Sequence, residues 1–213
     1  MRAGRFITFE GLEGVGKTTA LTMLIEALER KGVECVQTRE PGGTAMAEKI
    51  RELVLAHYDE SVSETTELLM MFAARSQNVQ ETIRPAIELG QWVISDRFTD
   101  ATFAYQGYGR GFSFEPIQTL SELVHPDLWP DATILLEASE ETMARRLKRR
   151  KSASDRIEAE RVSFFRRVAK GYTELATASP ERFYSVDANE DIDGVRQQIN
   201  RIAEDMIARW WDL

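Results

Sequence analysis

Two kinds of hydrophobic pattern alternate along the chain. Short apolar runs, some continuous and some alternating with polar residues, are typical of buried β-strands. Such runs occupy residues 5–10, 33–38, 92–95, 132–136 and 183–186. Between them apolar residues recur at helical spacing, as Leu21, Leu24 and Leu28 do, which predicts helices packed on a sheet. Strands that alternate with helices predict an α/β fold with a five-stranded parallel sheet and helices on both faces.

The helical periodicity also predicts where the connecting elements lie. Helices are predicted over residues 17–31, 45–56, 116–124, 140–151 and 158–177, before a final C-terminal helix. A long helical stretch is also predicted over residues 65–89, with an interruption near Pro85. Residues 98–114, rich in glycine and aromatic side chains, predict a functional loop with a short helix, and residues 152–155 predict an exposed hinge. Because no repeat or linker interrupts the pattern, we expect a single domain over residues 1–213.

Composition narrows the classes of partner. The 213 residues carry 27 Lys and Arg against 35 Asp and Glu, a net charge of −8. Sequence-independent binding of nucleic acid relies on many basic contacts to phosphates, so we expect no nucleic-acid partner. An anionic substrate therefore requires a local cluster of positive charge. The single cysteine excludes an intrachain disulfide, and no apolar run approaches 18 residues, so we expect a cytoplasmic protein with no membrane partner.

A phosphate-binding motif stands between the first predicted strand and the first predicted helix. Residues 11–18 read GLEGVGKT and match G-x-x-x-x-G-K-[ST]. The glycines let backbone N–H groups converge on an anion, Lys17 supplies a charge for the β- and γ-phosphates, and the Thr18 hydroxyl is a Mg²⁺ ligand. The motif predicts binding of a nucleoside triphosphate with magnesium. The residues predicted to bind this triphosphate are Gly11, Leu12, Glu13, Gly14, Val15, Gly16, Lys17, Thr18 and Thr19.

Three classes of protein carry this motif: GTPase switches, oligomeric ATPase motors and small nucleotide kinases. A GTPase needs an N-K-x-D motif for guanine, and the sequence contains no such tetrapeptide. A motor ATPase is usually larger and has an acidic residue at the end of an apolar strand. A nucleotide kinase needs a second anion site and a mobile lid with arginines, and the rest of the sequence supplies both.

Charged residues follow the second and third predicted strands. Arg39 follows the second strand, and Asp96 and Arg97 follow the third. Because the carboxyl ends of parallel strands meet at one edge of a sheet, we expect these residues to surround the crevice into which the phosphate-binding loop opens. An arginine fork suits a phosphate monoester, and Asp96 can hold magnesium directly or through water.

The densest basic run of the chain, residues 145–151, precedes the predicted hinge. Such a run is often a solvated helix face. Next to a hinge, however, it suits a lid whose arginines neutralise the transferred phosphoryl group and exclude water. We therefore predict a short lid over approximately residues 146–158, with Arg149 and Arg156 as its candidate arginines.

Five segments together resemble the thymidylate kinase family. They are FEGLEG at 9–14, TREPGGT at 38–44, FAAR at 72–75, SDRF at 95–98 with AYQGYGR at 104–110, and DRIE at 155–158. They follow the family's order from residue 5 to about 190. The resemblance implies the P-loop nucleoside monophosphate kinase fold, ATP with Mg²⁺, and a homodimer formed around the helix at residues 69–75.

The resemblance also implies roles for individual residues. Glu13 senses the 3′-hydroxyl of the acceptor, Phe72 stacks on thymine, Arg75 donates to thymine O4, and Tyr105 excludes a ribose 2′-hydroxyl. The implied substrate-binding residues are Glu13, Arg39, Phe72, Arg75, Arg97, Thr102, Tyr105 and Gln106, with Thr18 and Asp96 as metal ligands. The implied catalytic residues are Lys17, Arg97, Arg149 and Glu13.

The lid decides the subclass within the family. With Gly14 at this position of the phosphate-binding loop, the sequence resembles family members, chiefly bacterial, that place the catalytic arginine in the lid. Arg146, Arg149 and Arg150 are all candidates for that arginine. The sequence thus predicts a kinase that transfers the γ-phosphoryl group of ATP to dTMP to form dTDP. A kinase for another nucleoside monophosphate or for a deoxynucleoside is the alternative among enzymes, and a non-catalytic nucleotide switch is the alternative outside them.

Overall fold

The computed structural model describes residues 3–149 and 155–211. The strands are β1 (Arg5–Glu10), β2 (Cys35–Arg39), β3 (Trp92–Asp96), β4 (Ala132–Glu137) and β5 (Phe183–Asp187). The α-helices are α1 (Lys17–Glu29), α2 (Ala45–Leu55), α3 (Glu64–Asn78), α4 (Arg84–Glu88), α5 (Thr99–Thr102), α6 (Phe114–Val124), α7 (Glu140–Arg149), α8 (Val162–Ala178) and α9 (Ile192–Trp210). Two π-helical segments, Val79–Ile83 and Phe103–Gly109, continue α3 and α5.

Within the described residues, the strands form a single five-stranded sheet in the order β2-β3-β1-β4-β5, and each neighbouring pair is parallel. The side chains of a strand alternate between the two faces. Ile7 and Phe9 of β1 accordingly join one hydrophobic cluster, while Phe6 joins a different one. The predicted α/β fold, with helices on both faces of a parallel sheet, is confirmed.

Different helices cover the two faces. On one face α1 and α9 pack Leu24 and Met206 against the strands. On the other face the segment from α3 to α4 contributes Ile83, and α8 contributes Val168 and Tyr172. All of these side chains are fully or almost fully buried, so both layers of helices fix the sheet rigidly beneath its carboxyl edge.

Residues 98–114 contain the predicted short helix, α5, but the loop predicted for the rest of this region is mostly wrong, because a π-helical segment continues α5 to Gly109. Its glycines permit close packing instead of turns. A Cβ atom on Gly107 would lie 2.5 Å from Cε1 of Phe114, and one on Gly109 would lie 2.7 Å from Cε2 of Phe164. The aromatic rings that pack against these glycines therefore explain the composition.

Two predicted helices differ from the observed elements. The helix predicted over residues 65–89 is divided by a π-helical segment between α3 and α4, and the helix predicted from residue 158 begins at Val162. Residues 150–154, which contain most of the predicted hinge, lie outside the described residues. In the described parts of the chain, no helix combines the length and the apolar character needed to cross a membrane.

Candidate active site

A cavity of about 510 Å³ is lined by residues that follow β1, β2 and β3, which places it at the carboxyl edge of the sheet. Most of the predicted site residues line it. They are Glu13, Gly14, Gly16, Lys17, Thr18, Thr19, Arg39, Arg75, Asp96, Arg97, Thr102, Tyr105 and Gln106. Gly11, Leu12 and Val15 line a neighbouring cavity of about 80 Å³ instead. The topology therefore brings together residues that lie far apart in the sequence.

The loop between β1 and α1 has the geometry of an anion cradle. Gly16, which precedes α1, has a φ of 105°, a left-handed conformation that favours glycine. Within the described residues no side chain caps the first turn of α1, so its N–H groups remain available to a ligand. Gly14 has a φ of 77°, and a Cβ atom there would lie 2.8 Å from Cγ of Leu147, because α7 packs directly on the loop.

Lys17 lies buried at the base of this cradle. Its Nζ donates to the backbone carbonyls of Gly11 and Leu12 at 3.1 and 3.2 Å. Burial and the nearby Arg97 lower the pKa of Lys17, although Asp96 and other acids act in the opposite direction. Both of these hydrogen-bond acceptors are neutral, so an incoming phosphate offers the ammonium a stronger partner.

A network of charged and phenolic groups forms the centre of the cavity. Arg97 Nη2 donates to Glu13 Oε1 at 2.7 Å and to the Tyr105 hydroxyl at 3.0 Å. The same hydroxyl lies 2.9 and 2.8 Å from the two carboxylate oxygens of Glu13. Burial acts to raise the pKa of Glu13, but Arg97, Lys17 and Tyr105 outweigh it and hold that pKa below its usual value. Glu13 is therefore a carboxylate whose charge Arg97 neutralises.

Two further arginines line the cavity near α2. Arg39 forms a two-pronged ion pair with Glu48, with Nε to Oε1 at 3.1 Å and Nη2 to Oε2 at 2.7 Å, and about half of its side chain is exposed. Arg51 donates from Nη1 to the carbonyl of Pro41 at 2.8 Å. Burial and Arg39 both lower the pKa of Arg51, which reflects a region of concentrated positive charge. This region suits an anion such as a phosphate monoester.

The cavity lining also contains a buried ion pair. Arg75 Nε donates to Glu40 Oε2 at 2.6 Å, and its Nη2 donates to the Thr102 hydroxyl at 2.9 Å. Its Nη1 is buried and has no hydrogen-bond partner among the described residues. Such an unpartnered donor is costly unless a ligand satisfies it. Arg75 thus lines the cavity and retains a guanidinium nitrogen whose hydrogen-bonding capacity is unused among the described residues.

Phe72 lies behind this arginine. The guanidinium of Arg75 is 4.6 Å from the centre of the Phe72 ring, and the ring packs with Leu68 and Ile117. Only 2% of Phe72 is exposed, and it does not line the described cavity. The stacking of Phe72 on a base therefore stays a prediction, whereas its support of Arg75 is visible.

Glu67 on α3 holds several polar and charged side chains beside the cavity. Its Oε1 accepts from Gln106 Nε2 at 2.9 Å, and its Oε2 accepts from Arg156 Nη2 at 2.5 Å. Arg110 also donates to both oxygens at 3.1 Å. Arg156, a predicted lid arginine, is thus tied to α3, and it also donates to the carbonyl of Val54 in α2.

Thr18 and Asp96 both line the cavity beside Lys17, as expected of ligands for the predicted magnesium ion. Asp96 Oδ1 is buried and has no hydrogen-bond partner in the described parts of the chain. A carboxylate oxygen and a hydroxyl are the oxygen donors that Mg²⁺ prefers, and phosphates and waters complete its shell. The residues present therefore fit the metal.

Of the three arginines that compete for the lid role, Arg146 has a described side chain that lines the cavity. Its Nη1 donates to the carbonyl of Val15 in the phosphate-binding loop at 2.7 Å. The side chain of Arg149 and all of Arg150 lie outside what the structure describes. The prediction that Arg149 is catalytic therefore stays a prediction.

Some lining residues escaped the sequence analysis. Glu40 belongs to the TREPGGT string, so a signal existed, but its partner Arg75 lies 35 residues away. For Arg51 the one signal in the sequence is its position three residues after Glu48 on the same helix. The other lining residues that were not predicted are Pro41, Leu55, Met71, Phe98 and Ala101, whereas Arg146, Asp155, Ile157 and Glu158 fall within the predicted lid.

Comparison with known proteins gives consistent matches. A family model described as thymidylate kinase matches residues 9–199. A thymidylate kinase from Alkalilimnicola ehrlichii is 47% identical over 99% of this chain and 97% of its own length, and one from Hahella chejuensis is 52% identical over 93% and 95%. A crystal structure of thymidylate kinase from Ehrlichia chaffeensis superposes with a TM-score of 0.75 at 33% identity, covering 95% of this chain and 99% of that one.

Proposed function

The chain belongs to the thymidylate kinase family, and we propose that the cavity beside Lys17 is the site of its reaction. The enzyme transfers the γ-phosphoryl group of ATP to dTMP and forms dTDP. The observation that carries the site assignment is the shared hydrogen-bond network of Glu13, from the phosphate-binding loop, and Arg97, from the end of β3. This contact between the phosphate-binding loop and the end of β3 supports a donor cradle and an acceptor clamp that share one cavity.

On the donor side, the loop and the first turn of α1 bind the triphosphate. The backbone N–H groups from Gly14 to Thr19 surround the phosphates, and Lys17 moves from its neutral carbonyl partners to the β- and γ-phosphates. Arg146 already contacts the loop at Val15, so it is the described arginine best placed to reach the donor phosphates. Arg149 retains its predicted role at the transferred group.

On the acceptor side, Arg97 and Arg39 hold the dTMP phosphate. Arg97 is fixed by Glu13 and Tyr105, and Arg39 is partly exposed, so it can exchange Glu48 for the substrate. At the other end Arg75 donates to thymine O4 through the nitrogen that lacks a partner. Cytosine presents an amino donor at that position, so a cytosine nucleotide leaves the arginine unsatisfied. Thr102 and Gln106 support this end of the site.

The reaction needs no protein nucleophile. The phosphate oxygen of dTMP attacks the γ-phosphorus in line. The bond between that phosphorus and the β–γ bridging oxygen breaks, and ADP leaves with this oxygen. This chain's residues hold the two phosphates in line and offset the charge that gathers between them. Thr18 and Asp96 would hold Mg²⁺, which supplies neutralisation of the donor phosphates when bound.

An acceptor screen tests the assignment. With ATP and Mg²⁺ present, we expect fast turnover of dTMP and little turnover of CMP, AMP or GMP, measured as ADP release coupled to NADH oxidation. Thymidine serves as the matched acceptor without a phosphate. It should be inactive, because it has no phosphate for Arg39 and Arg97 to bind. Preference for thymidine over dTMP would contradict the proposal.

Tyr105 allows a test that separates its ring from its hydroxyl. Tyr105→Ala opens space beside the sugar, so we expect the ratio of kcat/KM for UMP over dUMP to rise at least about tenfold. Tyr105→Phe keeps the ring but removes the contacts to Glu13 and Arg97. We expect Tyr105→Phe to lower kcat/KM for dTMP by about tenfold, because hydrogen bonds to charged groups are each worth about 1.5–3 kcal/mol. The ratio of kcat/KM for UMP over dUMP should stay unchanged in this variant.

The two nucleotides UMP and dUMP differ only at the 2′-hydroxyl, so their ratio in steady-state assays reports this contact alone. An unchanged ratio in Tyr105→Ala would show that the ring does not exclude the ribose. An equal rise in both variants would assign the exclusion to the hydroxyl group instead.

We also propose that the enzyme is a cytoplasmic homodimer and that residues 1–213 act as one domain. Support for the dimer comes from exposed apolar side chains on adjacent helices. Leu69 of α3 is 53% exposed, and Met46 and Leu53 of α2 are 61% and 54% exposed. The two helices pack together, and exposed apolar side chains are often covered by subunit contacts.

A further inference from the structure

A hydroxyl group lies between two opposite charges behind the cavity. Tyr172 of α8 is 2% exposed and does not line the cavity. Its hydroxyl donates to Glu10 Oε2 at 2.7 Å and lies 2.9 Å from Arg97 Nη1, which donates to it. One phenol group therefore joins a residue of β1 to the guanidinium that faces the substrate, although Tyr172 and Arg97 are 75 residues apart.

Glu10 is the last residue of β1 and is fully buried. Its other oxygen, Oε1, accepts from the backbone N–H of Phe98 at 2.8 Å. Desolvation raises its pKa to about 7, against the opposing effect of Arg97, so it is mainly a carboxylate in assays at about pH 8. The backbone just after β3 is thus fixed to a strong acceptor immediately behind the cavity.

Arg97 lies between two carboxylates. Its backbone has a φ of 75°, an uncommon left-handed conformation for a residue other than glycine, and its N–H donates to the carbonyl of Phe9 at 2.9 Å. On the cavity side, Nη2 contacts Glu13. On the far side, Nη1 stands 4.0 Å from Glu10 Oε2, with the Tyr172 hydroxyl bonded to both.

Removal of that hydroxyl leaves a buried guanidinium nitrogen and a buried carboxylate oxygen without their shared partner. Both groups are costly to leave unsatisfied, and they lie only 4.0 Å apart on either side of the missing hydroxyl. Shortening the 4.0 Å gap to a direct ion pair satisfies them and draws Arg97 towards Glu10. The guanidinium then moves away from Glu13 and from the acceptor phosphate.

We propose that Tyr172 is a positioning residue, whose hydroxyl keeps Arg97 in the cavity by standing between its guanidinium and the buried carboxylate of Glu10. The inference rests on the proposed role of Arg97 as an acceptor-phosphate clamp. It assigns a function to α8, which contributes no residue to the predicted catalytic set.

The test is Tyr172→Phe, which removes one oxygen atom and retains the ring. We expect the KM for dTMP to rise about tenfold and the KM for ATP to stay within about twofold of the original value. Tyr184→Phe is the matched control, because the Tyr184 hydroxyl donates to Asp205 at an exposed position on β5. That control should leave both KM values unchanged.

A second variant asks whether the buried carboxylate causes the defect. In Tyr172→Phe with Glu10→Gln, the amide keeps an oxygen for the Phe98 N–H but no longer attracts Arg97 as an ion. We expect the double variant to bind dTMP more tightly than Tyr172→Phe alone, with a KM for dTMP that is at least about threefold lower. A role in folding alone predicts further loss.

The outcomes are distinct. If the unmodified enzyme fails to phosphorylate dTMP, the proposed function is wrong. If it does so and Tyr172→Phe behaves like Tyr184→Phe, or raises both KM values together, the positioning role is wrong. A rise confined to dTMP that Glu10→Gln partly reverses supports it.

Discussion

Replacement of Lys17 by methionine is expected to lower kcat about 10³-fold or more. Lys17 is the buried cation of the phosphate-binding loop, and its present partners are two backbone carbonyls. Methionine retains most of the side-chain volume but removes the charge that offsets the transferred phosphoryl group. Loss of one preorganised donor at such a centre typically costs 10²–10³-fold, and the lysine supplies a full charge as well.

Steady-state kinetics with both substrates at saturation measures this effect. Lys31→Met is the matched control, because Lys31 is exposed after the end of α1 and should leave kcat unchanged. Affinity for dTMP in the absence of ATP should also change little in Lys17→Met, since the acceptor clamp is separate. A kcat within tenfold of the original enzyme would remove Lys17 from the chemistry.

Arg97→Met should produce the second large effect, a fall of about 10³-fold in kcat/KM for dTMP. The substitution removes the fork that grips the acceptor phosphate. It also leaves Glu13 as an unneutralised carboxylate in the same cavity, where it repels the incoming phosphate. Both losses act on the acceptor, so the KM for ATP should change far less.

Arg166→Met controls for the loss of an arginine. Arg166 forms an exposed ion pair with Glu140 on α7, and such surface pairs contribute little. Kinetics with dTMP varied at saturating ATP, followed by the reverse experiment, separates the two substrates. A rise confined to the KM for ATP in Arg97→Met would place this residue on the donor side instead.

The sequence predicted the features that depend on local pattern. The strands followed from short apolar runs, and the anion cradle followed from a motif that spans eight consecutive positions. The positions of Arg39, Asp96 and Arg97 followed from topology, because ends of parallel strands share an edge. The cavity lining now includes all three residues.

What the sequence could not predict are contacts between distant segments. The pairing of Arg75 with Glu40 spans 35 residues, and that of Tyr172 with Glu10 spans 162. Neither pairing has a signature in the neighbouring sequence, because a buried ion or phenol can pair with any suitable group that the packing places beside it. For the same reason the sequence alone indicates a loop at the glycines 107 and 109. The aromatic rings that leave no room for a side chain at these positions come from α6 and α8.

The most direct test of a shared site for donor and acceptor is a crystal structure with adenosine and thymidine joined through five phosphates at their 5′-positions. We expect the phosphate chain to run from the loop around Lys17 to Arg97 and Arg39, with thymine at Arg75 and with both nucleosides in the single cavity. An inhibitor bound with its thymidine end outside that cavity, and with Arg97 still paired only to protein groups, would contradict the account.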